Sequence, residues 1–389
     1  MTHIPAAGQR LRIAVLNRLF RPTGGGAERY SMALVEQLAQ RHEIHVFAQQ
    51  IDHRWPGVSY HRVSAPLTKP RWINQIWYAV ATWWATRRGF DVVHSHENTW
   101  HGQVQTVHVL PVKYNLFHGR TGWRLALRWF KVLTSPRLLV YLWLEHMRYA
   151  AAPGRQIVAT SNSLRAIMCA SYPHTSAYLG VVTPGVDAVP GLPNAAEKLA
   201  ARLSLGLPED RPCILFVGND YRKKGLPALL AALGHLPAEV VLAVVGNPAH
   251  IPAFREPANA AGLAQRVFFL GALKDMTPAY RAADCLAHPT LEDTFAMVVL
   301  EAMAHGLPVV VSKESYCGIV GLLTPGVNAL ILQNPQDAQV LADTLQEVLQ
   351  DERRRQRMSD EAAAFARSHQ WSQVAVQQEQ IYRLAVAGH

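Results

Sequence analysis

The sequence predicts an α/β protein of two domains, each a mostly parallel sheet with helices on both faces, and three observations carry that expectation. At 389 residues the chain exceeds what one hydrophobic core commonly supports. Short β-branched and aliphatic runs alternate with helix-patterned segments, as parallel strands joined by crossover helices require. The alternation comes in two cycles, one opening at Leu11 and one at Cys213. Between them lies Pro184 to Pro212, rich in Pro, Gly, Ala and Asn, which reads as a linker region.

In chain order, Leu11 to Leu16 is a strand, the turn-rich Thr23, Gly24, Gly25 and Gly26 a loop, and Ala27 to Gln40 a helix. Further strands are expected at Ile44 to Ala48, Asp91 to Ser95, Val104 to Val109 and Gln156 to Thr160. The second cycle supplies CILFVGN, EVVLAVVGN, RVFFLG, DCLAHP and PVVVS, separated by helical segments. Ser372 to Ala387 is an amphipathic helix. In open α/β sheets ligands gather outside the carboxyl ends of the strands, so two such sheets facing one another would enclose a cleft for two substrates.

Bulk composition narrows the class. Hydrophobic residues make up 49% and charged residues 17%, the profile of a globular chain. Arg10, Arg12 and Arg18 interrupt the first apolar stretch, which argues against a signal peptide. The most apolar run, Leu138 to Leu144, ends at Glu145 and His146, well short of the ~18 apolar residues a bilayer span needs. Cys169, Cys213, Cys285 and Cys317 are widely spaced and read as reduced cytosolic thiols. Residues 1 to 187 carry 21 Lys+Arg against 8 Asp+Glu, the remainder 17 against 20. An acidic partner for the first half is therefore expected, such as an anionic lipid surface or a phosphorylated acceptor.

The most informative segment is HPTLEDTFAMVVLEAMAHGLPVV, residues 288 to 310. A strand ends near His288, Asp293 or Thr294 can cap a helix, and Gly306 with Pro308 stops it. The step from Asp293 to Glu301 is about two and a quarter helical turns, placing both carboxylates toward one side. Free amides of 294 to 296 at the positive helix end could approach sugar hydroxyls or phosphate; the alternative is an ordinary capped helix with solvent-facing acids. GNDYRKKG, residues 218 to 225, clusters Arg222, Lys223 and Lys224 after a strand. Such cations neutralise a diphosphate and the charge developing on it as a leaving group, unless they are only a solvated charge run.

These segments resemble the Glu-x7-Glu donor motif and basic loop of family 4 glycosyltransferases of the GT-B fold, two Rossmann-like domains facing across an interdomain cleft. The resemblance continues in the glycine loop, the strand-end QTVH, TPGVD, FFLG and the last helix, and looks most like bacterial lipopolysaccharide core glucosyltransferases in RKKG and in YCG at Tyr316 to Gly318. It implies a retaining enzyme and a nucleotide-sugar donor, most often a UDP-sugar. Asp293 with the amides around Thr294, Phe295 and Ala296 would hold the donor sugar, and Glu301 the ribose hydroxyls. Asp293 stands where the family has Glu, with Glu292 adjacent as the other holder of that role. Lys223 and Lys224 match the pyrophosphate-binding pair. Asn219 and Asp220 replace an Arg of the family, whose work would fall to Arg222. Gly25 and Gly26 would line the cleft near the donor phosphates, and His108 would contact the donor sugar and organise the acceptor. The catalytic set is then His108, Lys224 and Asp293. No cofactor or metal is implied; His94, His96 and His101 crowd the neighbourhood of His108, but their spacing fits no standard zinc site.

The expected organisation is residues 1–190 as an acceptor-binding domain, 191–371 as a donor-binding domain, and 372–389 as a helix packing back on the first. The expected activity is transfer of a hexose to a lipid-linked, lipopolysaccharide or cell-surface glycan acceptor at the cytoplasmic membrane face. Lys69 to Phe90 and Phe117 to Arg148 interleave Trp72, Trp77, Trp83, Trp84, Trp123, Trp129 and Trp143 with basic residues. They read either as interfacial helices on an anionic membrane or as buried helices with extended arginines. The rival enzymes are a sugar-nucleotide epimerase and a glycan phosphorylase. A basic nucleic-acid-binding protein is the non-enzymatic rival, and nucleic acid is not expected as a partner because no recognition helix or aromatic RNA motif is present.

Overall fold

The computed structural model describes residues 9–21, 25–67 and 69–388; Thr23 and Gly24 of the expected glycine loop lie outside them. The chain divides into two compact units, one of residues 1–184 and 371–389, the other of 185–370. The first division falls a little before the expected 190/191. Val186 is the reason: its amide bonds His369 O at 2.9 Å and its side chain joins the second unit's core.

The first unit holds β1 (Arg12–Leu16), β2 (Leu19–Phe20), α1 (Gly26–Ala39), β3 (Glu43–Ala48), β4 (Gln50–Ile51), β5 (Val58–Arg62), α2 (Arg71–Thr86), β6 (Val92–Ser95), β7 (Val104–Val107), α3 (Val112–Phe117), α4 (Gly122–Leu133), α5 (Pro136–Tyr149), β8 (Gln156–Ala159), α6 (Asn162–Ser171) and β9 (Leu179–Val181). Its main sheet has the order β5-β3-β1-β6-β7-β8-β9, and β2 pairs with β4 beside it. Its neighbouring strands all pair in parallel, as short runs buried on both faces demand. The second unit holds α7 (Ala195–Ser204), β10 (Cys213–Val217), α8 (Leu226–His235), β11 (Val241–Val245), α9 (Pro252–Ala260), β12 (Val267–Gly271), α10 (Thr277–Ala282), β13 (Cys285–His288), α11 (Met297–Ala304), β14 (Val309–Ser312), β15 (Leu330–Leu332), α12 (Ala338–Gln350) and α13 (Glu352–Arg367). Its six-stranded parallel sheet runs β12-β11-β10-β13-β14-β15. The last helix, α14 (Trp371–Ala387), belongs to the first unit. There its Tyr382 hydroxyl meets His94 Nδ1 at 2.7 Å, and Glu379 pairs with Arg41 and His42.

The stretch read as a linker contains a helix. Asn194 and Glu197 form a reciprocal capping box at the start of α7, which satisfies two amides that would otherwise be orphaned. Arg202 and Lys198 on α7 both reach Asp284, at 2.8 and 2.5 Å, locking the helix onto the start of β13. Local Pro and Gly content hid a ten-residue helix whose partner lies far along the chain.

Most tryptophans of the aromatic segments lie at the surface, whereas Tyr78 and Thr82 of α2 and Leu144, Glu145 and Arg148 of α5 are buried. On α4 only Val132 is buried, while Trp123 is 69% and Phe130 67% exposed. Trp77, Trp83, Trp84, Trp129 and Trp143 are exposed too. Among the described residues no helix is long and apolar enough to cross a membrane.

Candidate active site

In the second unit, two loops leave the carboxyl ends of neighbouring strands β10 and β13 and are tied together through backbone. Leu291 donates its amide to Lys223 O at 2.8 Å, and Thr290 Oγ1 donates to the same carbonyl at 3.2 Å. Gly225 makes this approach possible. It has φ +84°, and a Cβ there would lie 1.9 Å from Pro289 O, so only glycine fits both the left-handed conformation and the contact.

That junction delivers charge to charge. Lys224 Nζ lies 2.5 Å from Asp293 Oδ2 and 3.1 Å from Glu292 O; Lys223 Nζ pairs with Glu292 Oε1 at 3.0 Å in a more exposed position. His288, fully buried at the end of β13, places Nε2 3.2 Å from Asp293 Oδ2. Burial alone would raise the Asp293 pKa, but the His288 hydrogen bond and the Lys224 charge outweigh it and hold the carboxyl below its ordinary value. For His288, burial is the largest effect and lowers its pKa, partly opposed by Asp293. The backbone of Asp293 is clamped by YCG: its amide donates to Tyr316 O at 2.7 Å and its carbonyl accepts from Gly318 N at 3.0 Å.

Three expectations need correction. Helix α11 begins at Met297, not at Asp293 or Thr294, and its N-cap residue Ala296 sits at φ 73°, ψ 66°. Asp293 Oδ1 instead accepts the amides of Phe295 and Ala296, at 3.3 and 2.8 Å, so those amides are already engaged and no helical path joins Asp293 to Glu301. Arg222 is not brought to the Lys224–Asp293 pair: its guanidinium lies 5.6 Å from the Phe254 ring centroid. There it lines a cleft of about 290 Å³ with Pro227, Leu230 and Pro257, apart from the acids.

Glu301 is buried inside α11 and accepts the Tyr280 hydroxyl at 2.7 Å, which fixes one carboxylate oxygen. Phe295 and Ala296 are buried. Among the partners that sequence reasoning missed, His288 carried a signal, since a histidine in an otherwise aliphatic strand-end run needs a polar partner. Tyr280 carried none.

In the first unit, Gly25 precedes α1 and Gly26 is its first residue. His108 follows β7, and its Nε2 lies 2.9 Å from His96 Nδ1. The Tyr30 ring meets both imidazoles. Burial, with a smaller contribution from Arg148, pushes the His108 pKa down to about 3, so the ring is neutral at ordinary pH. His94 is likewise neutral, its pKa pushed to about 3 chiefly by burial, with its nitrogens held by Tyr382 and Thr106 Oγ1. Among the described residues, no group of three or more His, Cys, Asp or Glu side chains is placed to hold a metal ion.

Residues 24–189 match the family described as Glycosyltransferase Family 4, and residues 197–365 match Glycosyl transferases group 1. A D-inositol 3-phosphate glycosyltransferase of Xylanimonas cellulosilytica is 31% identical over 76% of this chain and 72% of its own length. The chain belongs to the family 4 glycosyltransferases. Corynebacterial relatives with the same description match over about half of their length. Among solved structures, WaaG, a glycosyltransferase involved in lipopolysaccharide biosynthesis, superposes with TM-score 0.80 at 20% identity, over 95% of this chain and 99% of the other. Anabaena Alr3699/HepE in complex with UDP and glucose superposes with TM-score 0.74 at 18% identity, over 95% and 99%. The two parallel α/β sheets of this glycosyltransferase are those of the GT-B fold.

Proposed function

We propose that the protein transfers a hexose from a UDP-sugar to a glycan or lipid-linked acceptor, with retention of anomeric configuration, at the cytoplasmic face of an anionic membrane. The observation that carries this reading is the Lys224–Asp293 contact at 2.5 Å, built by two loops at strand carboxyl ends, where nucleotide ligands settle in α/β sheets. A cation and an acid at one point fit a molecule that brings a diphosphate and sugar hydroxyls together. The relative crystallised with UDP and glucose supports UDP as the nucleotide, and WaaG supports a cell-surface glycan acceptor.

In this reading the donor diphosphate draws Lys224 and Lys223 away from their acids. Asp293, still held by His288 and by the amides of Phe295 and Ala296, is left to accept sugar hydroxyls, and Glu301 holds the ribose. The bond from the anomeric carbon to the phosphate oxygen breaks while a bond to the acceptor oxygen forms on the same face. The acceptor's proton passes to the departing phosphate, and Lys224 stabilises the charge growing there. Neutral His108 orients the acceptor by hydrogen bonding. No resident cofactor or metal takes part. The exposed aromatic and basic residues of α4 fit peripheral attachment to anionic lipid.

Calorimetric titration with UDP-, GDP- and ADP-sugars, followed by transfer assays with the product anomer read by NMR and EDTA present, tests the proposal. Tight binding of a UDP-sugar and a retained anomer are expected. Failure of every sugar nucleotide to bind, or an inverted product, overturns it.

A further inference from the structure

We infer that the first unit carries a subsite for an oxyanion, a phosphate or carboxylate borne by the acceptor glycan, built from Arg21, His53 and Trp55. The inference rests on the reading that this unit receives the acceptor.

Beyond the carboxyl ends of β1 and β3 the chain forms the two-stranded ribbon of β2 and β4, with Phe20 opposite Ile51. The Asp52 amide donates to Phe20 O at 3.0 Å. Arg21 and the segment from His53 to Trp55 therefore leave the sheet side by side, on the edge where open α/β sheets take their ligands. The segment is braced: the Trp55 amide donates to the Tyr60 hydroxyl at 2.8 Å, and Arg54 lies over the Tyr60 ring, 5.5 Å from its centroid. The His53 and Trp55 rings meet edge to face, with centroids 4.5 Å apart.

Arg21 Nε, His53 Nε2 and Trp55 Nε1 are all shielded from water and have no hydrogen-bond partner. A guanidinium Nε–H and an indole N–H can only donate, and an imidazole nitrogen can donate. Desolvated polar groups are almost always satisfied in folded proteins, so three unsatisfied ones on adjoining segments mark a place where an acceptor atom belongs. Because two of the three can only donate and one carries a positive charge, the occupant that satisfies them is an oxyanion. The nearest carboxylate in sequence, Asp52, is exposed and forms no ion pair with Arg21 in this structure. The surplus of basic residues in the first half of the chain favours approach of such an acceptor.

The test is calorimetry on the full chain at fixed ionic strength, with UDP saturating so that the donor site is filled. Glucose 6-phosphate and glucuronate are the two charged probes, and glucose is the neutral one. The expected result is at least tenfold tighter binding of one charged probe than of glucose. Arg21→Gln and Trp55→Phe should each reduce that preference at least fivefold, while Arg165→Gln, at an exposed cation on α6, leaves it unchanged. Trp55→Phe keeps an aromatic ring and removes only the N–H, so its loss reads the hydrogen bond. The UDP titration in the same samples reports the donor reading and the folding of each variant separately. With UDP binding intact, equal affinity for charged and neutral probes, or a preference that survives both substitutions, overturns the subsite. Absence of UDP binding in the native protein would sink the donor reading instead.

Discussion

Lys224 Nζ lies 2.5 Å from Asp293 Oδ2, although the two residues belong to different loops and meet only because Gly225 lets one loop touch the other. The pair has a structural and a chemical side, and substitutions separate them. Lys224→Met should lower transfer about 10²–10³-fold, the scale of losing one preorganised charge stabiliser. It should also destabilise the fold by about 1–3 kcal/mol, because a largely buried carboxylate loses its cation. Combining it with Asp293→Asn should restore most of the stability and none of the activity. Urea midpoints and steady-state rates for the four-member cycle check this; rates near native in Lys224→Met would contradict the proposed role.

Ala296 holds a left-handed conformation, φ 73°, which costs an alanine roughly 1 kcal/mol relative to glycine. Ala296→Gly should therefore raise the unfolding free energy by at most about 0.5 kcal/mol, because the extra freedom of the unfolded glycine, about 0.4–1 kcal/mol, offsets most of the relieved strain. The Asp293 bonds to the 295 and 296 amides should survive, so sugar-nucleotide affinity should stay within about twofold. Lower stability would mean that the methyl group contributes packing greater than the strain it imposes.

Much of this architecture is legible in the sequence, for a physical reason. Parallel strands buried on both faces read as unbroken aliphatic runs, and CILFV at β10 or VLAVV at β11 can hardly be anything else. The basic loop and the acids were visible as residue types. What brings them together was not, since the bonds from Leu291 and Thr290 to Lys223 link segments far apart in the chain. Side-chain direction was illegible for the same reason: Arg222 adjoins Lys223 in sequence but turns to Phe254, a residue on α9. Ala296 defeated the expected helix start because nothing in local propensity announces a left-handed alanine.

Tyr280 holds one oxygen of Glu301 at 2.7 Å, so its hydroxyl should position that carboxylate for a vicinal diol. Tyr280→Phe is expected to weaken UDP-sugar binding about tenfold, roughly 1.4 kcal/mol, with kcat changed less than KM. A mainly kcat effect would place Glu301 in the chemical step rather than in binding.

Buried histidines should make the first unit acid-sensitive. His94 and His108 have pKa values lowered to about 3 in the fold, whereas unfolded imidazoles protonate near 6.5. Between pH 6.5 and 3 the unfolded chain binds protons that the native rings refuse, so stability is full above about 6.5 and falls as pH drops through that window. The slope should approach ~1.4 kcal/mol per pH unit for each ring. Urea midpoints from pH 7 to 5 should show the decline, and His94→Gln should flatten it. An unchanged slope would mean that other groups govern acid sensitivity.

On α4, Trp123, Leu127 and Phe130 form an exposed stripe at helical spacing beside Arg124, Arg128 and Lys131. An apolar stripe of this size facing water is costly unless something covers it, and under the proposed membrane attachment the adjoining cations would favour a negative surface. The full chain should co-sediment with vesicles containing phosphatidylglycerol and much less with phosphatidylcholine alone. Arg124→Gln with Lys131→Gln should weaken binding by about 1 kcal/mol per charge removed and make it less salt-dependent. Trp123→Ser with Phe130→Ser should weaken it at every ionic strength. Were the serine variant to bind like the native chain, attachment would be purely electrostatic and the exposed rings would need another explanation.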